Sequence, residues 1–119
     1  MNVEDFREYC LSMPQVKENA PWTEPQYQCL VTFTVGGKWF ALLDIDKKFC
    51  DLKASSEVIT EMQERYEAAF PAWHMNKSHW LGVRLEADMP DDVIKSLLSA
   101  AYDLIVKSLP KSKRTELGL

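Results

Sequence analysis

Long apolar runs are missing from this chain. The longest, such as Phe40-Ala41-Leu42-Leu43, fall far short of the ~20 residues that a membrane helix needs. The start, MNVEDFREYC, is acidic and amphipathic rather than basic and then apolar, so no signal peptide is expected. Cysteine is scarce: Cys10, Cys29 and Cys50 are odd in number, far apart and set among apolar neighbours. That pattern suits buried reduced thiols better than a disulfide framework, and with no membrane segment it points to a cytoplasmic protein. Catalytic signatures are lacking as well, with no G-x-S-x-G, Walker loop, G-x-G-x-x-G or H-E-x-x-H. A cysteine nucleophile would need a base beside it, whereas all three cysteines read as core positions. The expectation is a protein without enzymatic activity and without a cofactor.

What is there is ordinary globular material. The 119 residues are 46% hydrophobic and 27% charged, which fits one domain over 1–119 with a core that needs neither metal nor disulfide. The formal net charge of −4 argues against a strongly basic nucleic-acid binder. It conceals a pattern, however, because 54–70 and 86–103 carry −3 and −4 while 31–53, 71–85 and 104–119 carry +1, +2 and +3.

Periodicity places these segments on elements. Phe6, Tyr9, Cys10 and Met13 are spaced as one face of a helix over 3–13, with Asn2 as N-cap and Pro14 as its end. From Tyr27 to Val35 the period changes to two, and Gly36-Gly37 then supplies a two-residue hairpin turn before a return strand, Lys38 to Asp44. That turn predicts Phe33 opposite Phe40 and Val31 opposite Leu42, with Trp39 on the other face. Phe49 to Lys53 reads as a third strand. A helix capped by Ser55 or Ser56 turns Val58, Ile59, Met62, Tyr66 and Phe70 inward and Glu57, Glu61, Glu64 and Glu67 outward. Residues 79–86 alternate again, and Pro90 opens a helix with the stripe Ile94, Leu97, Leu98, Ala101 and Ile105. The tail, 111–119, reads as frayed and basic. The predicted architecture is α+β, a two-layer sandwich in which helices cover one face of an antiparallel sheet. Most acids then lie on the helices, and Lys38, Lys53, Lys77 and Arg84 lie among Trp39 and Trp80 on the other face or its edge.

The stretch PAWHMNKSHW, Pro71 to Trp80, holds both histidines and no acid. His74 and His79 would need further ligands to hold a metal, and none lies within the strip, so a structural role for His79 is the better reading. Lysines interleaved with tryptophans are the composition of a nucleic-acid contact. The same tryptophans would equally suit a covered sheet face or a dimer seam.

At these residues the chain resembles a known family. GKWFALL (Gly37–Leu43), DLK (Asp51–Lys53), MNKSHWLGVRL (Met75–Leu85) and SAAYDLI (Ser99–Ile105) stand in the order and spacing of the MmcQ/YjbR proteins, and VKENAPW (Val16–Trp22) matches the segment before their first strand. The resemblance implies a small bacterial cytosolic protein with a CyaY/frataxin-like fold. It also implies binding of double-stranded DNA through a "double wing" of hairpins. On an acidic body such binding would be weak and steeply salt-dependent. On this reading the DNA contacts are Lys38, Trp39, Lys47, Lys48, Lys53, Lys77, Trp80 and Arg84, and Asn76 and His79 fix the turn of the NKSHW segment. The frataxin-like geometry raises iron binding along Glu4, Asp5 and Glu8, a thin ligand set, and no metal site is assigned. The alternative is a homodimer or protein-interaction module using the Trp39/Trp80 face.

Overall fold

The computed structural model describes residues 1–73 and 75–119; His74 lies outside the described residues. In chain order the elements are α1 (Val3–Ser12), β1 (Lys17–Asn19), a 3-10 turn (Pro25–Tyr27), β2 (Leu30–Val35), β3 (Lys38–Asp44), β4 (Phe49–Lys53), α2 (Ser56–Arg65), β5 (Ala69–Pro71), β6 (Trp80–Arg84), α3 (Asp91–Ser108) and α4 (Lys111–Leu117). The six strands form one antiparallel sheet in the order β1-β2-β3-β4-β6-β5. No helix among the described residues is long and apolar enough to cross a membrane.

The helices start where local chemistry satisfies their free N–H groups. Asn2 Oδ1 accepts from the Asp5 backbone N–H at 2.8 Å, and Ser55 Oγ accepts from that of Val58. On the helix side of the sheet, Val31, Phe33, Val35, Leu43, Cys50, Leu52, Leu81 and Val83 meet Phe6 of α1, Ile59 and Met62 of α2 and the buried stripe of α3. Phe6 stands edge-on to Phe33 and Tyr102 edge-on to Phe40, both with centroids 5.8 Å apart. The Tyr102 hydroxyl donates to the Pro14 carbonyl at 2.7 Å, and the Tyr9 and Ser99 hydroxyls share a 2.6 Å bond. Those two bonds tie α1 and the turn after it to α3.

The predicted hairpin forms at Gly36-Gly37, where both residues take positive φ, and Val35 faces Lys38. Its register differs from the expected one. Thr34 pairs with Trp39 but Phe33 pairs with Ala41, so Phe40 is an extra residue, a β-bulge. The bulge lets both Phe40 and Ala41 turn to the helix side and moves Leu42 to the opposite face, where the hairpin rule alone had placed it in the main core. Two short strands, β1 and β5, were not anticipated, and Phe70 lies in β5 rather than on α2. Tyr27 belongs to the 3-10 turn, not to a strand. Residues 111–117 are a helix closed by Gly118 in the left-handed conformation, not a frayed tail.

Strands β2 to β4 are buried almost throughout, although helices cover one face only. The second face, which carries Leu30, Leu42, Asp44, Phe49 and Asp51, is closed by two irregular segments. Residues 20–28 bring Trp22 against Trp39, with centroids 5.5 Å apart, and residues 72–73, with 75–79 after them, bring Trp73 against Phe49 at 6.2 Å. Phe70 lies flat on Gly82, where an added Cβ would come within 2.6 Å of its ring. Gly82→Ala should therefore lower stability by about 1–3 kcal/mol through overpacking, read from the urea midpoint. Trimming the ring as well, in Gly82→Ala/Phe70→Leu, should recover part of that loss.

Candidate functional site

The face away from the helices has two halves. Over β4, β6 and β5, long cations lie on aromatic rings: Lys47 on Trp73 at 5.0 Å, Arg84 on Phe70 at 5.1 Å and Lys53 on Trp80 at 5.4 Å from the ring centroids. Phe49 joins two of these pairs, edge-on to both Phe70 and Trp73. Lys77 donates to the Ala72 carbonyl at 3.2 Å and so braces the segment that carries Trp73. None of Lys47, Lys53, Lys77 and Arg84 forms an ion pair with an acidic side chain among the described residues.

Over β2 and β3 the same face holds an apolar cavity of about 220 Å³, walled by Trp22, Tyr27, Trp39 and Trp73 and floored by Leu30 and Leu42. Its walls are steeply inclined, with 69° between Trp22 and Trp39 and 54° between Trp22 and Tyr27. Each floor residue has a buried aspartate opposite it on the neighbouring strand, Leu30 facing Asp44 and Leu42 facing Asp51.

Those two aspartates differ. Asp44 Oδ1 accepts the Lys47 backbone N–H at 2.7 Å and shapes the β3–β4 turn. Asp51 is fully buried, and neither of its oxygens has a hydrogen-bond partner of ordinary geometry among the described residues. Burial pushes its carboxyl up to about 7, against the smaller opposing pull of the nearby Trp73 backbone N–H and the Lys77 ammonium. The thiols offer little as nucleophiles. Burial raises Cys10 and Cys50, which are fully buried, and raises half-buried Cys29 too, where Asp44 and Asp46 add to the effect. Cys29 is thus less enclosed than its apolar neighbours suggested.

The sequence model of the YjbR family matches residues 11–104. The chain belongs to the YjbR family. It is 27% identical over 118 residues to the uncharacterized protein YjbR of Escherichia coli K12, covering 96% of this chain and 95% of that protein. Over 81 residues it is 30% identical to the uncharacterized protein YbdF of Escherichia coli O157:H7, 66% of each. Among solved structures, a Deinococcus radiodurans protein with a DUF419 domain superposes with a TM-score of 0.87 at 31% identity, covering 99% of this chain and 88% of that one. A Pseudomonas syringae protein gives 0.74 at 27% identity over 87% and 98%.

Within this YjbR fold the residues singled out from sequence fall into four groups. Lys47, Lys53, Lys77, Trp80 and Arg84 share one half-face. Lys38 and Lys48 stand apart from it. The Lys38 ammonium reaches Ser108 of α3 at 3.5 Å, and Lys48 pairs with Glu86 at 3.7 Å. The tip itself does not project, because Gly36 lies against Leu109 so closely that a Cβ would be 2.7 Å from that side chain. Trp39 sits in the cavity wall against Trp22 instead of flanking Trp80. Asn76 Oδ1 accepts from the Ser78 backbone N–H and the Asn76 carbonyl from that of His79, while the His79 carbonyl accepts from the Ala54 N–H.

Sequence reading missed Trp22, Tyr27, Trp73 and Asp51. The signal for Asp51 was present, since an acid between Phe49 and Lys53 at strand period falls on their face. The raised Asp51 carboxyl has a definite sign. The folded protein keeps the proton at pH values where the unfolded chain, titrating near its ordinary 3.8, has lost it. Its effect on stability is nil below about pH 4, grows unfavourable as pH rises towards 7 and persists above. Asp51→Asn should therefore gain stability relative to the parent between pH 5 and pH 8 by at least about 1 kcal/mol, measured by urea unfolding at both pH values.

Proposed function

We propose that this chain is a non-enzymatic binder of double-stranded DNA, and that the surface it uses is the β4–β6–β5 half-face rather than the β2–β3 hairpin tip. The observation that carries this reading is the group of Lys47, Lys53 and Arg84 held on Trp73, Trp80 and Phe70, with Lys77 held on the Ala72 carbonyl, all four without an ion pair to an acid among the described residues. The carboxylates on the same face, Asp44 and Asp51, are buried, so the cations dominate what an approaching polyanion meets. Arginine and lysine held on rings lose less side-chain freedom when they engage phosphate. Half-buried Trp80 beside Lys53 supplies a stacking surface at the edge of the row. The net charge of −4 weakens long-range attraction and makes the interaction modest.

Titration of a fluorescently labelled duplex, followed by anisotropy at about 50 and 200 mM salt, tests the proposal. About four phosphate contacts predict roughly a hundredfold loss of affinity across that range. Lys53→Glu/Arg84→Glu should weaken binding and flatten the salt slope by about two. Lys38→Glu and Lys48→Glu, at positions engaged elsewhere, should change it less than about threefold. Absence of binding at tens of micromolar in low salt would overturn the proposal. The dimer reading draws on the same rings, and for it the observable is a Trp80→Ala shift in sedimentation with no effect of the charge reversals.

A further inference from the structure

The aromatic cavity over β2 and β3 is separate from the cation row, sharing with it only the Trp73 ring, and does not depend on the DNA proposal. Its form restricts what it could hold. A flat heterocycle is gripped between parallel rings, but these walls meet at 69° and 54°, which leaves a rounded box. At about 220 Å³ the box is below the size of pockets for drug-sized ligands and suits a compact group. The floor, Leu30 and Leu42, offers no hydrogen bond, so a strongly hydrated ammonium or a phosphate would lose its water without replacement.

The electrostatics point to one sign. Ring faces carry negative potential, and the two buried aspartates lie beside the floor, each opposite a floor leucine across one strand. Burial keeps the Asp51 carboxyl protonated up to about pH 7, so it adds negative charge to this face above that pH. Trp73 carries the Lys47 ammonium at 5.0 Å from its centroid, and Lys47 lies outside the residues that line the cavity, so the ring accepts a cation in the folded protein. From inclined aromatic walls, an apolar floor and flanking buried carboxylates, we infer that this cavity is an aromatic cage for a quaternary ammonium group, as in choline or a betaine-like compound.

The probe is choline, and the readout is the indole N–H resonances in a ¹H–¹⁵N spectrum. Choline should shift Trp22, Trp39 and Trp73 saturably at roughly millimolar concentration while leaving Trp80 in place. The neutral alcohol in which a tert-butyl group replaces trimethylammonium has the same shape, and should bind about tenfold more weakly. Trp22→Leu should weaken choline binding by a similar factor and Trp22→Phe by less. At pH 8, where Asp51 is ionised, Asp51→Asn should weaken choline several-fold without affecting the alcohol. Equal affinity for choline and the alcohol would overturn the proposal and leave only an apolar hole. No saturable shift by about 100 mM would do the same, and so would shifts confined to Trp80.

Discussion

The sheet has to be buried on both faces although its helices can reach only one. Strands β2, β3 and β4 are buried at nearly every position, and leaving one face in water would expose Leu30, Leu42 and Phe49 together. The chain meets this constraint with residues 20–28 and the described residues 72–73 and 75–79, which bring Trp22, Tyr27 and Trp73 over the face, instead of a second helical layer. Irregular segments cover a surface less completely than helices do, because their backbones need water or side-chain partners. The cavity between Trp22, Tyr27, Trp39 and Trp73 is what that incomplete cover leaves, and the cation–aromatic pairs are its outer fringe. Both candidate surfaces thus arise from one solution to a packing problem.

The bulge at Phe40 decides which residues take part. Without it, Leu42 and Asp44 would point towards the helices, where an aspartate beside Val31 and Leu42 could not be tolerated. With it, Phe40 fills the space against Tyr102, and Leu42 and Asp44 pass to the segment-covered face. The same shift aligns Leu42 with Asp51 and Gly82 across three strands. A single extra residue therefore places an apolar floor and an unpartnered carboxylate side by side.

Much of this architecture was legible in the sequence. Helical spacing located α1, α2 and α3 to within a few residues, and Gly36-Gly37 located the hairpin, because side-chain periodicity and positive φ are local properties. The bulge was not legible, since Gly-Gly followed by alternating residues reads equally well with Phe40 or Ala41 opposite Phe33; the choice is made by Tyr102, which is distant in the chain. For the same reason the sequence does not show that Trp73 packs on Phe49 and that Lys77 holds the Ala72 carbonyl. Lys38 was placed among the contacts because a lysine at a hairpin tip is normally free, and only the C-terminal end of α3 reveals that this tip is held.

That hold on the tip bears on how the molecule is made. The hairpin closes through near neighbours, yet Gly36 rests on Leu109, Tyr9 bonds Ser99 and Tyr102 bonds the carbonyl of Pro14. Contacts of such long sequence separation form late, after their loop-closure entropy has been overcome. On the ribosome the first half of the sheet would emerge with its apolar face bare until residues 99–109 had left the exit tunnel. Completion of the sheet's cover therefore waits on α3.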